Sequence, residues 1–232
     1  MKIDLIEHLN ENITEVRNLM DIHVSYTGKK RGRRAASVDV LNKSCVVLLV
    51  ACWEVFIEDL SIVAFDKMLK KTAEYDVFPN RVLSRAVKEL KESKNDMDVW
   101  QLAGSGWKDI LINNKKTILE KYIGDFNNPN PNNVENLFED LLGLKQISAH
   151  WGWRRMTPKK AKTKLKSLIR LRGDIAHKVK ATKTVGKSFV LDSIDFVYYL
   201  AVETNNAVVE YVMKRLKIKE EPWPSARYKG IN

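Results

Sequence analysis

Apolar residues recur along this chain at the three- and four-residue step of an α-helix. Ile6, Leu9, Ile13, Val16, Met20 and His23 form one such stripe and predict a first helix over about residues 2–24. His23, at the end of that stripe, is expected as a packing or helix-end residue. The pattern breaks from Gly28 to Ala36, and Ser37 is then placed to cap a long helix ending near Lys71. The centre of that helix, Cys45 to Trp53, is apolar on every side, which predicts burial all round. At nine residues this run is the longest of its kind, and a membrane span needs about 20.

Shorter helices are predicted from Pro79 to about Glu92 and from Trp107 to Ile123, with a turn over 97–105 between them. The Asn- and Pro-rich stretch 124–133 reads as a loop, and Asn133 as the cap of a helix that stops at Gly143. Thr157 followed by Pro158 makes an N-cap/N1 pair that starts a basic helix running to about Lys180. After a loop at Gly186, Asp192 and Asp195 are expected to open a last helix, with Val197, Leu200, Val208, Tyr211 and Val212 on its apolar side. The tail from Glu221 is irregular, with Trp223 between two prolines expected to pin it to the body. No repeat, Gly-rich phosphate loop or β-hairpin signal interrupts this series. The expected fold is all-α: one helical domain over 1–220 with two long core helices and shorter extra ones. About residues 79–156 are expected as an insertion or lid, and 221–232 as a tail.

Charge narrows the function. The chain has 40 Lys+Arg against 29 Asp+Glu, a formal charge of +11. Residues 1–150 carry 21 basic and 22 acidic side chains, so the excess lies entirely in 151–232, and Arg154 to Lys187 alone holds 13 basic residues with one acid, Asp174. Like charges this dense repel one another unless a polyanion relieves them, and nucleic-acid phosphate is the expected one. Arg154, Arg155, Lys159, Lys162, Lys166, Arg170, Lys178 and Lys180 are the candidate RNA-binding side chains. The cluster from Lys29 to Arg34 would extend their surface. No basic amphipathic helix with a bulky apolar face argues for lipid instead. Cys45 and Cys52, two helical turns apart, cannot bridge each other. As buried free thiols they fit a reducing compartment, and the N-terminus lacks the apolar stretch of a signal peptide, so a cytoplasmic location is expected.

No Ser-His-Asp, Cys-His or metal-ligand spacing is present, so neither a metal nor another cofactor is expected. What remains is Ser167-Leu168-Ile169-Arg170-Leu171-Arg172-Gly173-Asp174-Ile175-Ala176-His177. Leu165, Leu168, Arg172, Ile175 and Val179 step as a buried seam, yet one of its positions is an arginine, which needs an acidic partner or a polar cleft. His177 lies five residues on, about 140° around the helix and ~7.5 Å along it. The two side chains therefore flank a cleft rather than stack, especially a cleft closed by a second copy of the helix. Histidine suits proton transfer and arginine suits a phosphate oxygen, as metal-free RNA cleavage requires. The spacing by itself favours a structural pair over a catalytic one. Trp151 and Trp153 beside Arg154 and Arg155 have the chemistry to stack unpaired bases, though packing against the core is the commoner fate of such tryptophans. Capping or core satisfaction is likewise expected of His150.

Leu171-Arg172-Gly173-Asp174-Ile175-Ala176-His177 resembles the Arg-x4–6-His signature of the HEPN superfamily (higher eukaryotes and prokaryotes nucleotide-binding). The helix from Leu41 to Leu60 resembles the long second-segment helix of its RiboL-PSP-type branch, with an apolar run meeting an aromatic-acidic pair, Trp53-Glu54, and a second acidic pair, Glu58-Asp59. The resemblance covers roughly 37–71 and 160–215. It implies a metal-independent endoribonuclease, a homodimer whose motifs face each other, and a role as toxin or defence effector, with an inhibitory protein as a further partner. It also implies Arg172 and His177 as the catalytic pair. The family often has Asn, Asp or His directly after the arginine. This chain has Gly173 there, leaving Asp174 to orient His177 or pair with Arg172, and Glu54 and Glu58 to meet Arg172 across the helix interface. The alternative is a catalytically silent HEPN-like module that binds RNA, a nucleotide or another protein.

Overall fold

A computed structural model describes residues 4–27, 36–124, 128–177 and 184–227. The fold is all-α, with no strand among the described residues. Helix α1 (Leu5–Thr27) begins three residues later than its stripe suggests, because the Asp4 carboxylate accepts from the amides of Ile6 (3.1 Å) and Glu7 (3.0 Å) and fixes the first turn. The His23 side chain and the Lys29–Arg34 cluster lie outside what is described. Helix α2 (Ala36–Lys71) is about 54 Å long and forms the axis of the molecule. Helices α1, α6, α7 and α8 pack against it, but they do not close round its apolar centre: Leu48 and Ala51 stay exposed on one face, so the expected burial on every side is not met. Cys45, Leu49, Val50, Trp53, Phe56 and Leu60 are buried among them.

The expected helix from Pro79 to Glu92 is two, α3 (Asn80–Ala86) and α4 (Lys88–Glu92), broken where Val87 leaves helical geometry at φ −90°, ψ 9°. Helix α5 (Gly106–Leu119) runs into a single π-turn at Glu120–Gly124. Asn130, not Asn133, caps α6 (Pro131–Leu142): its side-chain oxygen accepts from the amides of Asn132 (2.9 Å) and Asn133 (3.1 Å). The reason is Pro131, whose missing N–H and fixed φ suit the first helical position. Gly143 ends α6 at φ +78°, and a Cβ there would meet the Pro79 ring at 2.4 Å.

Asp140 ties this middle stretch together. Its buried carboxylate accepts from Arg85 (2.6 Å), Arg81 (3.4 Å) and the Tyr122 hydroxyl (2.7 Å), so α3 and the π-turn are both fastened to α6. Val82, Leu111, Ile118, Phe138, Leu141 and Trp151 join the same core as α2 and α8. Helix α7 (Pro158–His177) starts as expected, with the Thr157 hydroxyl accepting from the Lys160 amide (3.3 Å).

Helix α8 (Lys187–Leu216) begins five residues before Asp192. The segment before it is held by α2: Asn42 Nδ2 donates to the Val185 carbonyl (2.7 Å) and the Val185 amide donates to Asp39 (2.8 Å). The described part of the tail, to Arg227, is irregular but docked. Trp223 is buried and donates its indole N–H to Asn205 Oδ1 (2.9 Å), while Asn206 exchanges two hydrogen bonds with the Ala226 backbone (2.9 and 2.8 Å).

Candidate active site

Helix α7 presents two faces. Ala161, Leu165, Leu168 and Ile169 are buried against the body, and Arg172 follows them on the same side, half-buried. On the other side Lys159, Lys166, Arg170 and His177 are all exposed. Their spacing of seven, four and seven places them on one ridge, about 27 Å from first to last. His177 therefore terminates a line of cations, whereas Arg172 faces the interior about 140° away. Within one chain the two do not share a face.

An acid whose charge couples to Arg172, Glu54, is on α2. Burial pushes the Glu54 carboxyl above its ordinary value, the Arg172 guanidinium pulls it back, and the neighbouring Glu58 pushes it up again. Arg172 thus sits within the field of a half-buried acid at the α2–α7 interface. Asp174 is half-buried and engaged in a polar interaction of its own. A Cβ built on Gly173 would meet nothing within 4 Å, so a larger side chain has room where the motif has glycine.

The basic side chains divide. Arg154, Arg155, Lys159, Lys166 and Arg170 are exposed to solvent. Lys162 is instead spent within the fold: its ammonium meets Glu135 at 3.0 Å, and Glu135 also accepts from the Ser148 hydroxyl. Lys164 is turned inward over the Phe196 ring (4.7 Å) and donates to the Asp192 carbonyl (3.2 Å), and burial lowers its pKa against the opposing pull of Asp192 and Asp195. Lys178 and Lys180 lie outside the described residues.

Trp151 is fully buried, donates to the Thr204 hydroxyl (3.0 Å) and meets the Trp53 ring edge-on at 6.2 Å. It is a core residue and offers no face to a base. Trp153 is half-buried against Phe196 and Tyr199. His150 is exposed rather than buried in the core. Tyr198 is buried, while Tyr199 is half-exposed. Both cysteines are buried free thiols pushed up to about 11 by desolvation, which leaves them protonated near neutrality. Among the described residues no three His, Cys, Asp or Glu side chains gather as metal ligands. No described helix is long and apolar enough to cross a membrane.

Sequence reasoning did not find Glu135 as the partner of Lys162, since 27 residues separate them and nothing local links them. Nor did it find Asp140. Compared with known proteins, the chain matches the model of the RiboL-PSP-HEPN family over residues 6–210. It matches no curated protein and no solved structure.

Proposed function

The chain belongs to the RiboL-PSP-HEPN family, and from that premise we propose that it is a metal-independent endoribonuclease centred on Arg172 and His177. One observation carries the reading: a half-buried arginine on the core side of α7, within the field of Glu54, on a helix whose opposite face is a cationic ridge ending in histidine. RNA phosphates lie along Lys159, Lys166 and Arg170, together with Arg154 and Arg155. At the scissile position the ribose 2′-oxygen attacks phosphorus. Its proton leaves to a base, the bond to the 5′-oxygen breaks, and that oxygen takes up a proton. His177 serves as acid or base, and Arg172 neutralises the charge that builds on the non-bridging oxygens. The products are a 2′,3′-cyclic phosphate and a 5′-hydroxyl. Glu54 holds the guanidinium in place, with Glu58 behind it, and Asp174 supports the motif from α7.

Because Arg172 and His177 point to different sides of α7, the working site is built by two copies of the chain. A surface for the second copy is available on α2, where Val40, Leu48 and Val55 share one helical face and are exposed by 61%, 41% and 40%. An enzyme of this kind acts in the cytoplasm, as a toxin or defence effector, under restraint by an inhibitory protein. A second reading, a silent RNA-binding module, draws support from Gly173 standing where the family often has a polar residue. Arg172→Ala and His177→Ala separate the two. The nuclease reading expects each to lose at least 100-fold in cleavage rate, as loss of an electrostatic or proton-transfer group does, with RNA affinity nearly unchanged. A wild type that binds RNA and never cuts it supports the silent module.

A further inference from the structure

The loop between Trp151 and α7 closes on itself. Trp153 and Met156 exchange backbone hydrogen bonds of 3.1 and 2.8 Å, leaving Arg154 and Arg155 at the tip of a two-residue turn. Arg155 sits at φ +69°, a left-handed conformation that favours glycine or asparagine at this turn position. Both arginines are exposed. Behind them the Trp153 ring is fixed by Phe196 at 6.0 Å and Tyr199 at 5.8 Å, and Tyr199 in turn meets Tyr198 at 5.9 Å. Trp153, Arg154, Arg155 and Tyr199 line a cavity of about 370 Å³. Two aromatic residues and two arginines line it, and no acidic residue is among them.

We propose that this cavity is a nucleotide subsite, separate from the Arg172/His177 motif, that anchors one unpaired nucleotide of a single-stranded RNA. The base stacks on Trp153 beside Tyr199, and its phosphate is held by Arg154 and Arg155. The inference rests on the RNA reading above. A π-face alone would take any apolar group, and two guanidinium groups alone any anion. Together, in one concavity, they select a flat ring that carries a phosphate. The rings are held by one another, so binding requires little reordering of the aromatic floor. The helix after the turn favours a strand over a free nucleotide. Exposed Lys159 and Lys160 come within the first turn of α7, and the ridge begun at Lys159 reaches His177 after about 27 Å. The subsite thus holds the strand well away from the bond that is cut. That arrangement gives the protein a preference for unpaired RNA without base-specific hydrogen bonds.

The test uses the full chain and 12-nucleotide 2′-O-methyl strands, which lack the hydroxyl needed for cleavage, at fixed salt with anisotropy as the readout. Stacking is worth ~1–3 kcal/mol per base, so a strand of abasic residues is expected to bind about 5- to 150-fold more weakly than a normal one. Trp153→Leu is expected to erase that difference while leaving the salt dependence intact. Arg155→Gly matches the turn's preferred conformation and keeps the fold. It is expected to weaken both strands several-fold with Tm unchanged or raised. Adenosine 5′-monophosphate, lacking the ridge contacts, is expected to compete only at far higher concentration than a strand. Equal affinity for normal and abasic strands overturns the subsite while leaving RNA binding in place. So does discrimination that survives Trp153→Leu, or an Arg155→Gly protein that binds like wild type. Displacement of the strand by the mononucleotide at similar concentration reassigns the cavity to a free nucleotide and overturns the anchoring claim. Binding of neither strand removes the RNA reading itself.

Discussion

The loop that carries Trp153, Arg154 and Arg155 is anchored at its start by a buried hydrogen bond of Trp151, and Thr204→Val tests that anchor. Trp151 has no solvent exposure, and its indole N–H has the Thr204 hydroxyl as acceptor at 3.0 Å, while that hydroxyl donates to the Leu200 carbonyl at 2.7 Å. Valine keeps the branched shape of threonine and removes only the oxygen. The Leu200 carbonyl retains its place in the α8 ladder, but the Trp151 N–H is left buried without an acceptor. An orphaned donor of this kind costs about 1–3 kcal/mol. For a domain of roughly this size 1 kcal/mol moves Tm by about 2–4 °C, so Thr204→Val is expected to melt about 2–12 °C lower. Urea denaturation of the double-mutant cycle with Trp151→Phe isolates the bond. Phenylalanine has no N–H to orphan, so adding Thr204→Val to it is expected to cost about 1 kcal/mol less than adding it to wild type. A Thr204→Val protein within about 0.5 kcal/mol of wild type, or an equal cost in both backgrounds, would show that this bond does not hold the loop.

Two further outcomes concern the site and its surroundings. Glu54 has its pKa raised in the folded protein, so the fold penalises its ionised form. That penalty is present above the folded pKa and absent below the ordinary carboxylate range, where folded and unfolded chains are both protonated. Glu54→Gln is therefore expected to stabilise the protein at pH 7, with the gain fading as pH falls through the carboxylate range, while cleavage drops because Arg172 loses its anchor. A variant less stable than wild type at pH 7 in thermal melts refutes the sign. Leu48→Glu/Val55→Glu puts charges on the exposed face of α2, so light scattering is expected to report a monomer with wild-type helical content and little cleavage. A variant that stays dimeric removes that face from the interface.

Long amphipathic or all-apolar helices were legible because burial of one face writes a period into the sequence. Thus α1, α2 and α7 match their expected spans closely, but the apolar centre of α2 is not covered all round: Leu48 and Ala51 within it are exposed. Boundaries set by tertiary contacts were not legible. Helix α8 starts at Lys187 because Val185 is tied to Asp39 and Asn42, some 145 positions away, and the acids at 192 and 195 pointed to a later start. The break at Val87 has no Gly or Pro to announce it. One element was legible in part: an arginine in a buried seam calls for an acid or a polar cleft, and Arg172 is half-buried on that side of α7 with its charge felt by Glu54. The fate of individual lysines could not. Lys162 and Lys166 have similar neighbours along α7, but only Lys162 lies opposite Glu135, and only the fold decides which cation is consumed internally. The same holds for Asp140, one acid among many until α3 and the π-turn converge on it.

The most direct measurement of the central claim is the end chemistry of RNA incubated in EDTA with wild-type and His177→Ala protein. Mixed-sequence single-stranded RNA is cut by the wild type alone, and the fragments carry 2′,3′-cyclic phosphate and 5′-hydroxyl ends. Fragments with 5′-phosphate ends, cleavage that requires a divalent metal, or equal cleavage by both proteins would contradict a metal-free nuclease built on Arg172 and His177.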